Sequence, residues 1–155
     1  MANQRIAFVS SGMQQPKKGN LAFKRQHYYF NYGLVGLATL LSNNNDCLVI
    51  HGHFNGPTEI AAQAARFLTD SSSSKKITFL SIPSYYALPW AREFASTLKD
   101  LLPESLVIAG GRWVVQGNID WLHNYLSSVD SFVKGVGEDI IGRVLEAVSK
   151  KTVDL

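Results

Sequence analysis

The chain has 155 residues, of which 46% are hydrophobic and 17% charged, and this composition is that of one ordinary globular domain. The formal net charge of +3 comes from scattered basic residues with only three pairs of adjacent lysines, so a nucleic-acid-binding surface is not indicated. The single cysteine, Cys47, cannot form an internal disulfide and lies within an apolar run, which predicts a packed thiol and a reducing compartment. The first apolar run is too short for a signal sequence or a membrane span, and we expect a cytoplasmic protein.

Short apolar segments alternate with amphipathic segments five times along the chain. The predicted strands are residues 5–10, 46–51, 76–82, 105–109 and 129–134. The apolar residues at helical spacing between and after them are Leu34, Leu37, Ala38 and Leu41; Ile60, Ala64, Phe67 and Leu68; Ala91, Phe94, Ala95 and Leu98; Ile119, Leu122 and Leu126; and Ile141, Val144, Leu145 and Val148. This order predicts one α/β domain over residues 1–155, with a single doubly wound (flavodoxin- or Rossmann-like) five-stranded parallel sheet flanked by helices.

One connection, residues 11–32, is longer than the others. It follows the first strand at its carboxyl end, which is the edge of such sheets where ligands bind. Two interpretations stay open: a binding loop, or a surface excursion whose aromatic residues begin the next helix and pack on the core. The serine run at 71–74 is interpreted as a surface turn.

Small and hydrogen-bonding residues follow the last three predicted strands. Glycines there let a ligand approach the backbone, and neighbouring helix N-termini offer free N–H groups. The candidate binding residues are Ser81, Ser84 and Tyr85 after the third strand, Gly110, Gly111 and Arg112 after the fourth, and Gly135, Gly137 and Glu138 after the fifth.

Known phosphate-binding motifs are missing from the sequence. No G-x-G-x-x-G follows the first strand, and no G-x-x-x-x-G-K-[ST] occurs, so ordinary dinucleotide and nucleoside-triphosphate sites are excluded. Response-regulator chemistry needs acids at the end of the first strand, and this strand ends in Ser10 and Ser11.

Four motifs in order resemble the cobalamin-binding domain that precedes the catalytic barrel of cobalamin-dependent radical S-adenosylmethionine enzymes. The resemblance covers residues 5–148. The matching segments are Gly33-Leu-Val-Gly36-Leu-Ala38 at a helix start, Ser81-Ile-Pro-Ser84 after the third strand, Gly110-Gly111 after the fourth, and Gly135-Val136-Gly137-Glu138 where the family has Gly-Glu-Gly-Glu.

The resemblance implies a module that holds the corrin against the strand ends and threads the nucleotide tail between the sheet and the helices. Small residues at Ser81, Gly110 and Gly111 would leave space for the tail, Ser84 and Tyr85 would offer hydrogen bonds, and residues 135–138 would border it. One cysteine cannot bind an iron–sulfur cluster, so we expect cofactor binding without independent catalysis, as part or partner of a radical S-adenosylmethionine enzyme that uses cobalamin as a methyl carrier. No membrane or nucleic-acid partner is expected.

The D-x-H-x-x-G motif of methyl-carrier cobalamin domains, whose histidine binds cobalt, does not follow the first strand. A similar motif, with histidine in place of the aspartate, occurs at His51-Gly-His53-Phe-Asn-Gly56. It follows the second predicted strand instead of the first, so we expect no protein ligand to cobalt. Radical enzymes of this family commonly lack that histidine. Two alternatives stay open: an enzyme of flavodoxin-like shape that uses His51, His53, Glu138 and Arg112, and a protein-interaction module that docks a partner through the aromatic long loop.

Overall fold

The computed structural model of the protein describes residues 4–13, 31–53, 55–70 and 75–149. The strands are β1 (Gln4–Ser10), β2 (Asn45–His51), β3 (Lys76–Ser81), β4 (Ser105–Gly110) and β5 (Ser131–Phe132). The helices are α1 (Tyr32–Leu41), α2 (Pro57–Thr69), α3 (Leu88–Leu101), α4 (Ile119–Tyr125) and α5 (Gly137–Ser149), with 3₁₀ turns at Tyr85–Ala87 and Gln116–Asn118 before α3 and α4. Residues 14–30 of the long connection and the predicted turn at 71–74 lie outside the described residues.

The five strands form one parallel sheet in the order β2-β1-β3-β4-β5. Each predicted apolar stripe lies on one of the five helices, except that Leu126 follows the last residue of α4 as its C-cap. This strand order is that of flavodoxin-like doubly wound sheets, in which the connections reverse direction between β1 and β3. The predicted fold class is therefore confirmed.

The sheet is covered on both faces, which explains the consecutive apolar residues in its central strands. On one face, Ala7, Val9 and Leu80 pack against α2, α3 and the end of α4, where the rings of Trp90 and Phe94 stack with centroids 5.4 Å apart. The opposite face, called the α1–α5 face, buries Ile6, Phe8, Ile77, Phe79 and Ile108 under Leu34, Ala38, Ile141 and Val148.

The last strand is shorter than the sequence predicts, two residues instead of the six at 129–134. Before the strand, the Val129 N–H bonds the Leu126 carbonyl, so Val129 completes the turn after α4 instead of pairing with β4. The Asp130 carboxylate accepts the Val107 N–H at 2.7 Å and the Lys99 ammonium at 2.7–2.8 Å. The Asp130 backbone N–H also donates to the Val107 carbonyl at 2.9 Å. One backbone and one side-chain hydrogen bond therefore hold this part of β4, where the sequence predicts a continuous ladder.

Replacing Asp130 with alanine tests this anchor. The Val107 N–H would lose a charged acceptor and Lys99 its ion pair, so we expect the free energy of unfolding in urea to fall by about 1–3 kcal/mol. Glu104→Ala removes an exposed carboxylate from the turn before β4 and should change it by less than about 0.5 kcal/mol. Equal losses in the two variants would show that Asp130 is not an anchor.

Cys47 is partly buried against the α1–α5 face, as its apolar surroundings in the sequence predict. Burial, with a smaller contribution from the neighbouring Asp46 carboxylate, raises the pKa of the Cys47 thiol. The thiol is therefore protonated and a poor nucleophile near neutral pH.

Among the helices of the described ranges, none has the length and apolar character needed to cross a membrane.

Candidate functional site

A cavity of about 200 Å³ lies on the α1–α5 face at the carboxyl ends of β3 and β4. Leucines of α1 form one wall, α5 forms the facing wall, and the sheet forms the floor. Its lining is mostly apolar and consists of Gly33, Leu34, Leu37, Phe79, Leu80, Ser81, Ile108, Ala109, Gly110, Gly111, Val133, Gly135, Gly137, Glu138, Ile141 and Val144. The cavity is at the edge of the sheet where doubly wound proteins bind their ligands.

Six of the nine candidate binding residues line this cavity, namely Ser81, Gly110, Gly111, Gly135, Gly137 and Glu138. The structure places the other three outside the lining. The Ser84 hydroxyl lies 3.9 Å from the sulfur of Met13, and the exposed Tyr85 ring meets the ring of Trp113 edge-on at 5.8 Å. Arg112 is exposed. The ends of β3 and β4 and the turn from β5 into α5 thus converge on the cavity, whereas Ser84, Tyr85 and Arg112, two or more positions beyond the ends of β3 and β4, do not line it.

Gly111 gives the cavity its opening above Ser81. Its backbone has a φ of +104°, which side-chain-bearing residues rarely adopt. A Cβ at this position would lie 2.9 Å from the Ile82 nitrogen and 3.0 Å from the Ser81 hydroxyl oxygen. A side chain here would therefore strain the turn and cover the Ser81 hydroxyl.

The sequence prediction missed the residues that support Ser81. Ser10 and Ser81 are register partners at the ends of β1 and β3, where the sheet connections reverse. The Asn31 amide nitrogen lies 3.2 Å from the Ser10 hydroxyl and 3.0 Å from the Ser81 hydroxyl, and the amide oxygen accepts the Leu34 N–H at 3.1 Å. Asn31 is the N-cap of α1. An asparagine three residues before the first apolar residue of the α1 stripe was the signal that could have found it.

The charge around the cavity is sparse. Among the described residues that line it, Glu138 in the first turn of α5 is the one ionisable group, and it is exposed at the mouth. The lining residues that the structure describes include no lysine or arginine. The arrangement suits an uncharged, largely apolar group that hydrogen-bonds to Ser81 and to backbone atoms.

His51, the last residue of β2, pairs with His53, with ring centroids 4.4 Å apart, and neither histidine belongs to the cavity lining. Gly52 between them is a packing residue. Its N–H bonds the Ser10 carbonyl at 2.8 Å, and an added Cβ would lie 2.5 Å from the Gly12 nitrogen and 2.7 Å from the Trp90 indole. The described part of the chain contains no group of three or more metal-ligating side chains.

Among the described residues, no exposed aromatic side chain lines the cavity. Tyr32 begins α1, as one interpretation of the long connection expected, but its side chain is 78% exposed and does not pack on the core. The tyrosines at 28 and 29 and the phenylalanine at 30 fall outside the described residues.

Fold and site together define a flavodoxin-like α/β domain with an apolar cavity at its carboxyl edge. No protein-family model matches the sequence. No curated protein matches it either. Solved structures do match. A cobalamin-binding protein from Desulfitobacterium hafniense DCB-2 has a TM-score of 0.54 at 14% identity over 96% of this chain.

Two further structures share the fold. The monomethylamine corrinoid protein of Methanosarcina barkeri has a TM-score of 0.60 at 11% identity over 92% of this chain, and the response regulator DrrB of Thermotoga maritima has a TM-score of 0.52 at 13% identity over 96%. The chain spans a little over half of each of these proteins, 58%, 57% and 54% of their lengths. At these identities the similarity establishes the fold.

Proposed function

We propose that the chain is a corrinoid-binding module that holds cobalamin at the carboxyl ends of its strands. The observation that carries this proposal is the apolar cavity under Gly110 and Gly111, which runs from the sheet edge down between α1 and α5. Two proteins of the same fold are a cobalamin-binding protein and a corrinoid protein, which supports the choice among the ligands that this fold can hold.

The cavity fits the nucleotide tail of cobalamin in size and chemistry. Its volume of about 200 Å³ exceeds the roughly 150 Å³ that accommodates one benzene ring, so it can take a bicyclic aromatic base. The described lining residues include no cation for a phosphate, so the base would be buried and the phosphate would stay near the mouth. Glycine at position 111 keeps the space above Ser81 that a Cβ would fill.

Each wall of the cavity would contribute differently to binding. Leu37 of α1 and Ile141 of α5 would cover the two faces of the base, and Ser81 would hydrogen-bond to its edge. Gly135 and Gly137 would let the tail pass close to the backbone before α5, and the corrin would lie over the strand ends. When bound, cobalamin supplies a methyl carrier, and the residues of this chain hold and orient it.

We assign no lower cobalt ligand to this chain's described residues. Ser11, Gly12 and Met13 follow β1, where the methyl-carrier motif would place its histidine, and His51 and His53 lie at the end of the edge strand β2, outside the cavity lining. The module would therefore bind the corrin through the tail and the strand ends.

The proposal extends to a partner. Glu138 is the single ionisable group among the described lining residues, which therefore offer no proton-transfer pair, and we assign the chain no independent catalysis. Its role would be to present cobalamin to a radical S-adenosylmethionine domain or protein, in which the reaction is assembled. A methyltransferase reaction is the one that the motif resemblance favours.

Retention of hydroxocobalamin tests the proposal. The purified protein is mixed with an excess of hydroxocobalamin, desalted, and its absorbance spectrum is recorded beside a circular dichroism spectrum. We expect corrin absorbance near one equivalent per chain, with bands that lack the signature of a histidine on cobalt. A folded protein that retains no corrinoid would overturn the assignment, and bands of a histidine-bound cobalt would overturn the absence of a lower ligand.

A further inference from the structure

Asn31 connects three elements at the edge of the cavity. Its amide reaches the hydroxyls of Ser10 on β1 and Ser81 on β3, while it caps the helix α1 that forms a cavity wall. Ser10 is buried and Ser81 lines the cavity. The three side chains thus form one hydrogen-bonded unit with one member open to a ligand.

The orientation of the Asn31 amide follows from its partners. The Leu34 N–H can only donate, so the amide atom that faces it at 3.1 Å must be the oxygen. The amide nitrogen therefore faces both serines, and because it can only donate, both hydroxyl oxygens must accept. A backbone N–H thus sets the direction of two side-chain hydrogen bonds.

This direction determines what Ser81 offers the cavity. Its oxygen accepts from Asn31, and among the described residues no acceptor takes its hydroxyl proton. Ser81 consequently presents a donor to any group in the cavity. A ligand acceptor there gains a hydrogen bond from the Ser81 hydroxyl, whereas a C–H group gains none.

We propose that Asn31 is a positioning residue that makes the cavity selective for corrinoids whose tail ends in a base with an unprotonated ring nitrogen. This inference rests on the proposed corrinoid function. The dimethylbenzimidazole of cobalamin has such a nitrogen when it is not bound to cobalt. A tail with a phenolic ring has no ring nitrogen and would lose the hydrogen bond from Ser81.

Asn31→Asp inverts the hydrogen bond and leaves the helix cap in place. Aspartate caps helices as well as asparagine does, so the Leu34 N–H keeps its acceptor. A carboxylate cannot donate, so Ser10 and Ser81 would turn their protons toward it and Ser81 would show the cavity a lone pair. A base nitrogen would then face another acceptor.

The experiment measures dissociation constants of hydroxocobalamin and of tail-less aquacobinamide by absorbance titration. For Asn31→Asp we expect cobalamin to bind roughly tenfold more weakly, with cobinamide binding unchanged. Asn44→Asp makes the same substitution in the exposed turn at the other end of α1 and should leave both constants at the wild-type values.

Three results would overturn the inference. Equal weakening of both corrinoids would show that Asn31 acts on the fold instead of on the tail, and an Asn31→Asp variant that matches Asn44→Asp would show no selectivity. If the wild-type protein binds neither corrinoid, the proposed function fails and the inference fails with it. This last outcome is distinguished from the others by the wild-type titrations alone.

Discussion

Replacement of Gly33 by phenylalanine is expected to weaken hydroxocobalamin binding roughly 100-fold, or by about 2.7 kcal/mol. Gly33 lines the cavity at the first turn of α1, and a Cβ there has one neighbour within 4 Å, the Asn31 amide oxygen at 3.6 Å. A side chain can therefore be added without a clash, and its ring would occupy the space proposed for the tail base. Burial of an aromatic group of this size contributes about 1.5–3 kcal/mol, which would no longer be available to the ligand. Absorbance titration measures the change.

Gly36→Phe is the matched control for this prediction. Gly36 lies on the same helix, a Cβ there meets nothing within 4 Å, and it is not among the lining residues. Both variants replace a helical glycine, so both should unfold at or above the wild-type midpoint. Cobalamin binding that stays at the wild-type level in Gly33→Phe, or falls equally in Gly36→Phe, would place the tail outside this cavity.

Gly52→Ala is expected to lower the free energy of unfolding by about 3 kcal/mol, because the new methyl group has no room. The Cβ would lie 2.5 Å from the Gly12 nitrogen, 2.6 Å from the Ser10 carbonyl oxygen and 2.7 Å from Trp90 Cζ2. Backbone atoms on two sides and a buried indole on the third cannot all move away. Urea denaturation followed by Trp fluorescence would report the loss.

Gly117→Ala serves as the comparison, because a Cβ there meets nothing within 4 Å. We expect its unfolding midpoint to stay close to that of the wild type, within about 0.5 kcal/mol. If Gly52→Ala is as stable as Gly117→Ala, the close approach of β1 and β2 at this edge is not a constraint on the sequence. The glycine in His51-Gly-His53 would then need another explanation.

Most of the fold could be predicted because the signals are local. The central strands β1, β3 and β4 are covered on both faces and consist mostly of consecutive apolar residues, with Thr78 as an exception in β3, and each helix has one apolar stripe. The fifth strand was predicted too long because Val129 is as apolar as a strand residue but is buried in a turn. A run of apolar residues indicates that a segment is buried. It does not indicate whether the segment pairs as a strand, because that depends on a partner strand far away in the sequence.

The site could be predicted in part for the same reason. Parallel strands bring their carboxyl ends together, so the residues at or just after those ends, Ser81, Gly110 and Gly111, were found. A turn can then lead to either face of the sheet, and Tyr85 follows the turn toward Trp113 on the face opposite the cavity. Two other features depend on tertiary packing, which no single segment of the sequence encodes. They are the cavity walls formed by α1 and α5, and the hydrogen bonds from Asn31 to the hydroxyls of Ser10 and Ser81.

The two-residue β5 has a consequence for how tightly this cavity can hold anything. β2 joins β1 through seven register pairs, whereas β5 joins β4 through two, and β5 leads directly into the α5 wall. That corner of the sheet is held by the fewest backbone hydrogen bonds, so it should open at the lowest free energy. A tail seated between α1 and α5 would link them across the weak corner, and part of its binding free energy would be used to keep the corner closed. The affinity for the ligand and the protection of the α5 amides from hydrogen exchange would then both depend on the same opening equilibrium of this corner.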